Sequence, residues 1–137
     1  MKPRIVLVLS VVLLLAACGG GEETVAVESV PDAPPLCADV ENVEITAEAG
    51  GAYRFDVTVR SPDSGWEKYA DAWEVRAPDG TVLGTRVLTH PHVEEQPFTR
   101  SLSGVVIPEE ITQVEVAARD LVEGFCGAMM GVVVPHP

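Results

Sequence analysis

The stretch "AYRFDVTVR", residues 52–60, decides the fold. Tyr53, Phe55, Val57 and Val59 take every second position, and Arg54, Asp56, Thr58 and Arg60 fill those between. Side chains of a strand point alternately to opposite faces, so a period of two predicts a half-buried β-strand with an aromatic and β-branched core face. Upstream, "VEITAE", residues 43–48, alternates in the same way and is joined to it through Gly50-Gly51. Downstream, "WEVRA", residues 73–77, continues the pattern, and "PDG", residues 78–80, turns the chain tightly into "TVLGTRVL", residues 81–88. "FTRSLSGVVI" (98–107), "TQVEVAARD" (112–120) and "GVVVP" (131–135) supply three further strands. No stretch carries an apolar period that suits a helix, and no repeat is visible. Short strands with frequent turn signals predict an all-β domain over residues 36–137, a seven-stranded antiparallel β-sandwich.

The order of these strands resembles that of an immunoglobulin-like or fibronectin type III-like domain over residues 37–135, with strands lettered A, B, C, C′, E, F and G. Trp73 falls where such a domain places a core tryptophan on its third strand. The sequence departs from the pattern in having no cysteine pair on its second and sixth strands, and no tyrosine at the start of "TQVEVAARD". The wider strings "GWEKYADAWEVRAPDGTVLGTRVL" and "HPHVEEQPFTRSLSG" are also similar to a group of small exported bacterial proteins, a likeness that implies no activity.

The front of the chain reads "MKPRIVLVLSVVLLLAAC". Lys2 and Arg4 precede an apolar run from Ile5 to Leu15, broken only by Ser10, of about the length of a signal-peptide core. Leu15-Ala16-Ala17-Cys18 resembles the bacterial lipoprotein lipobox. That resemblance implies removal of residues 1–17, a diacylglycerol on the Cys18 sulfur and an acylated (commonly palmitoylated) amino group. Several acyl chains anchor a protein firmly, so the membrane is the first expected partner. The expected location is the cell membrane or outer membrane, on the extracytoplasmic side; Gly19 stands where an aspartate would mark inner-membrane retention, which favours the outer membrane in a two-membrane cell. Residues 19–35, "GGGEETVAVESVPDAPP", combine glycine, proline and acid without periodicity and read as a flexible tether within an 18–35 linker segment. A coil of that length spans roughly 20–25 Å.

The net charge is −12, and loss of Lys2 and Arg4 with the leader makes the mature chain more acidic still. Such a surface repels phosphate backbones, which excludes nucleic acid as a partner. With Cys18 acylated, Cys37 and Cys126 remain, and an even pair in an exported domain predicts a disulfide. The domain is expected to be monomeric.

Because antiparallel strands alternate in direction, their connections alternate between two poles. One pole gathers the three long connections, "SPDSGWEKYADA", "THPHVEEQP" and "LVEGFCGA", together with the start of the first strand, so Cys37 and Cys126 should be neighbours. Long loops on a rigid sandwich are where binding usually resides. Trp66, Tyr69, Asp71, Glu94, Glu123 and Phe125 are the candidate binding residues, although the aromatics would equally serve to cover the open end of the sandwich. His90 and His92 flank Pro91, which favours extended backbone and lets both imidazoles face one side. With Glu95 as an oxygen donor they form a candidate copper or zinc site, for which Asp71, Asp120 or Glu123 would have to supply a further ligand. His136 is expected at the opposite pole. No nucleophile elbow, separated acid pair or phosphate-cradling glycine loop is present, so no enzymatic activity is expected. The sequence thus supports a lipid-anchored binding module without a resident cofactor. A Cu/Zn-binding lipoprotein and an accessory subunit of an envelope complex are the alternatives.

Overall fold

The computed structural model describes residues 36–136. The leader, the lipobox with Cys18, and the tether lie outside the described residues. Seven strands appear in order: β1 (Asp39–Ala47), β2 (Ala52–Arg60), β3 (Ala70–Arg76), β4 (Val82–Val87), β5 (Phe98–Val106), β6 (Gln113–Asp120) and β7 (Met130–Val133). The sole helical element among the described residues is a single 3-10 turn, Ala49–Gly51. The strands form two antiparallel sheets, β1-β2-β5 and β4-β3-β6-β7. No helix of the described residues is long and apolar enough to cross a membrane.

The alternation of β2 is realised as predicted. Tyr53, Phe55, Val57 and Val59 are buried between the sheets, while Arg54 and Arg60 face solvent. Opposite them stand Trp73 and Val75 from β3 and Val114, Val116 and Ala118 from β6. The outer face of the three-stranded sheet is polar and self-paired. Arg54 binds Asp56, which Ser101 also contacts, Thr58 meets Thr99 at 2.8 Å, and Arg60 pairs with Glu41.

Strand β1 starts at Asp39, four residues before the expected 43–48 segment. Its register shifts between Val40 and Asn42, so the added residue breaks the alternation that marks a strand in sequence. Val40 is buried despite its acidic neighbours.

The connections divide as the alternation requires. Residues 48–51, 77–81 and 107–112 close one pole with short turns. Residues 61–69, 88–97 and 121–129 form the other, the loop pole, beside Leu36 and Cys37. There Cys37 and Cys126 form a disulfide with their Cα atoms 5.4 Å apart, closing a sequence separation of 89 residues. The chains run so close at this link that a Cβ on Gly127 would lie 2.0 Å from Ala38 O, so only glycine fits. His136 sits at the opposite pole, its ring between Tyr53 Oη (3.0 Å) and Ile111 O (2.8 Å), and pins the end of the chain to the core.

Candidate functional site

The loop pole is held by side chains that bond to backbone far away in sequence. Asp63, inside the β2–β3 loop, is buried. Its Oδ1 accepts the Ala70 N–H at 2.8 Å, and its Oδ2 accepts the His92 N–H at 2.8 Å. One carboxylate thereby fixes the β2–β3 loop, the start of β3 and the β4–β5 loop. Gln96 repeats the device: its Oε1 accepts from Ser61 N–H and its Nε2 donates to His92 O. Bonds from a charged acceptor to buried amides are the strong kind, and they make a loop behave as part of the core.

A second hub joins the other segments. Asp120 has no exposed surface. Its Oδ1 accepts from Val122 and Glu123 N–H, and Lys68 Nζ stands 3.0 Å from its Oδ2. Burial alone would raise this carboxyl, but the Glu123 amide, Lys68 and the Val122 amide outweigh it and hold the pKa below its ordinary value. Lys68 also donates to Leu36 O at 2.9 Å, and Tyr69 O accepts from Leu121 N–H. On the far side of the disulfide, Asp39 Oδ1 accepts from Ala128 N–H.

The structure places the candidate residues unevenly. Trp66 projects from a tight turn closed by Gly65 and Lys68, with 68% of its surface exposed, and stands edge-on to Tyr69 at 6.0 Å. Glu94 and Glu123 are exposed nearby on their loops. Asp71 lies within β3 rather than in the loop before it, and Arg119 grips it with two hydrogen bonds of 2.8 and 2.7 Å. Phe125 turns away from the tip and takes the Arg76 guanidinium 4.1 Å above its ring. It thereby lies against the four-stranded sheet, since Arg76 is the last residue of β3.

The histidine loop is where expectation and geometry part most. The extended backbone expected around Pro91 would let both imidazoles face one side, yet His90 is exposed and His92 is only 4% exposed. The His92 ring stacks on Phe98 (3.9 Å between centroids, 11° between planes), and the His90 ring lies 4.5 Å from it. Neither ring nitrogen of His92 has a hydrogen-bond partner among the described residues. Burial, then the neighbouring Arg100 and His90, push its pKa below the ordinary value, against the opposing pull of Asp63 and Glu95. The ring therefore sits neutral at physiological pH. Glu95 is turned to Arg100, which it binds at 2.8 and 3.2 Å. His90 to Glu95 line an open, shallow hollow. The imidazoles are neighbours tilted 41° to each other, and His90 Nδ1 lies 3.0 Å from Pro91 O. Among the described residues, no three His, Cys, Asp or Glu side chains come together in a metal-ligand group.

Sequence reasoning missed Asp63, Lys68 and Gln96, which do most to shape the pole. "SPDSG" reads as a turn, and nothing in it shows that its carboxylate points inward. Leu36, Leu121 and Val122, all exposed at this pole, were also passed over.

No protein-family model matches the chain. No solved structure matches it either. A protein of Halomicrobium mukohataei named "Putative lipoprotein" is 39% identical over 95 residues, which cover 69% of this chain and 46% of that protein. The chain thus spans about half the length of the curated relative it matches.

Proposed function

We propose that the chain is a lipid-anchored lipoprotein on the extracytoplasmic side of a membrane, whose β-sandwich, fibronectin type III-like in its strand order, presents the loop pole for binding. The observation that carries this reading is Leu15-Ala16-Ala17-Cys18 directly behind a charged and then apolar leader. Two further findings support it. The disulfide between Cys37 and Cys126 suits an oxidising compartment, and the relative's name is that of a lipoprotein. The pole is suited to binding rather than catalysis. Its buried acids are occupied in holding backbone, and Trp66 stands exposed on a braced loop, as aromatic anchors of interfaces do. Intact-mass measurement of protein extracted from membranes tests the anchor. The expected mass lacks residues 1–17 and carries acyl chains, and Cys18→Ser abolishes both acylation and retention. A wild-type mass without acyl chains contradicts the reading.

One observation favours a second reading, a copper or zinc site: the rings of His90 and His92 lie 4.5 Å apart, and both nitrogens of His92 lack partners among the described residues. Loading would require His92 to leave Phe98 and Glu95 to leave Arg100. Calorimetry on wild type and on the double variant His90→Ala, His92→Ala separates the readings. Stoichiometric uptake abolished in the variant supports metal, and equal weak uptake by both proteins removes it.

A further inference from the structure

The loop pole exposes more apolar surface than its own packing requires. Leu36, Trp66, Leu121 and Val122 are 59%, 68%, 46% and 61% exposed. They come from three segments that the structure ties to one hub. Lys68 joins Leu36 O to Asp120, Leu121 N–H donates to Tyr69 O, and Trp66 leans on Tyr69. Single exposed apolar residues are ordinary, whereas several gathered around one point mark an interaction surface. At the opposite pole the exposed apolar side chains are the valines beside the turns, Val82, Val106 and Val133, and no tryptophan stands among them.

We infer that this rim is a membrane-docking surface. Leu36, Trp66, Leu121 and Val122 seat in the headgroup region of the bilayer that carries the acylated Cys18. The inference rests on the lipoprotein reading and adds an orientation to it. The chain enters the domain at Leu36, on the rim itself, and only residues 19–35 separate Leu36 from the anchor. Seating the rim puts the point of chain entry at the bilayer, whereas seating the opposite pole would require residues 19–35 to run the length of a nine-residue strand such as β2, about 30 Å. Tethering also raises the effective concentration of the rim at the membrane to the millimolar range, so a contact too weak to hold a free protein is sufficient. Tryptophan is the side chain best suited to the headgroup layer, having an apolar ring and one N–H donor.

Charge sets which lipid the rim accepts. Lys68, Arg100 and Arg119 are committed to Asp120, Glu95 and Asp71. Glu67, Glu94 and Glu123 are exposed, with no ion pair among the described residues. The rim should therefore seat on zwitterionic headgroups and be pushed off anionic ones at low ionic strength, the reverse of a polybasic anchor.

The chain's two tryptophans make the test direct. Trp73 is fully buried in the core, so only Trp66 can report contact with lipid. Full-length acylated protein is reconstituted into phosphatidylcholine vesicles whose acyl chains are brominated near the headgroup, and its acyl state is confirmed by intact mass. Docking predicts blue-shifted tryptophan emission that the brominated lipid quenches. The quenching is absent in Trp66→Phe, and phosphatidylglycerol added at low salt reduces it. Acylated protein whose Trp66 emission stays red and open to aqueous quencher overturns docking while leaving the anchor intact, and frees the rim for a protein partner. A protein without acyl chains overturns the anchor, and docking with it.

Discussion

At one end of the sandwich the turns bond within themselves: Gly80 N–H reaches Ala77 O, Thr81 N–H reaches the Asp79 carboxylate, and Ile111 N–H reaches Pro108 O. Longer-range bonds there run from His136 to Tyr53 and Ile111 O, from Val134 N–H to Thr112 O, and from Gly104 N–H to the exposed Glu48 carboxylate. At the other end local bonds, such as those of Asp120 to the Val122 and Glu123 amides, are joined by a set that links residues far apart in sequence, from Ser61 to Gln96, His92 to Asp63, Lys68 to Leu36 and Ala128 to Asp39. Local turns need only the right residues in the right order. Long loops stay ordered only if buried polar groups brace them, and such bracing makes a loop surface rigid enough to recognise something.

Breaking the braces should therefore hurt the loop pole far more than equivalent changes hurt the turn pole. The largest effect is expected from the double variant Cys37→Ser, Cys126→Ser, which should lower unfolding free energy by about 2–5 kcal/mol in denaturant melts. Next is Asp63→Ala, which leaves the buried Ala70 and His92 amides without their acceptor and should cost about 2–4 kcal/mol. The matched change at the turn pole, Asp79→Ala, should hardly move the denaturation midpoint, because the Thr81 amide it caps can turn to water.

A smaller and pH-dependent effect belongs to His92. The unfolded chain takes up its proton near the reference value of about 6.5, whereas the folded ring resists it. More protons bound in the unfolded state means stability rises with pH, so this contribution is complete above about pH 6.5 and is lost as pH falls below it. The carboxyls of Asp56, Asp79, Glu95 and Asp120 are held below their ordinary values. Their contributions are present above the usual carboxylate range of about 4 and vanish below it, in a separate and more acidic window. Melts at neutral pH and at about pH 5 isolate the histidine. Wild type should be weaker at the lower pH, and His92→Leu should show much less difference. The smallest stability change is expected for Trp66→Ala, within about 0.5 kcal/mol of wild type, since most of the side chain is exposed.

What was legible in the sequence follows the same division. The β2 alternation, the "PDG" turn and the core position of Trp73 are local or pattern-borne, and each was readable. The disulfide was readable because strand direction alone brings the start of β1 beside the β6–β7 loop. The burial of His92 was not readable, since it depends on Phe98 lying beneath it and on a carboxylate 29 residues away accepting its amide. The inward turn of Asp63 was hidden for the same reason: a proline-aspartate-serine-glycine string looks like any exposed turn. Phe125 was assigned to the tip because loop length does not reveal that the loop folds back towards Arg76.

Amide hydrogen exchange on the folded protein tests the central contrast most directly. If Asp63 and Gln96 make the loop pole an extension of the core, the amides of Ser61, Ala70 and His92 will exchange as slowly as those of β2 and β3, although Ser61 and His92 lie outside any strand. Exchange of the Ser61 and His92 amides at the rate of an open loop, with β2 and β3 still protected, would contradict the account.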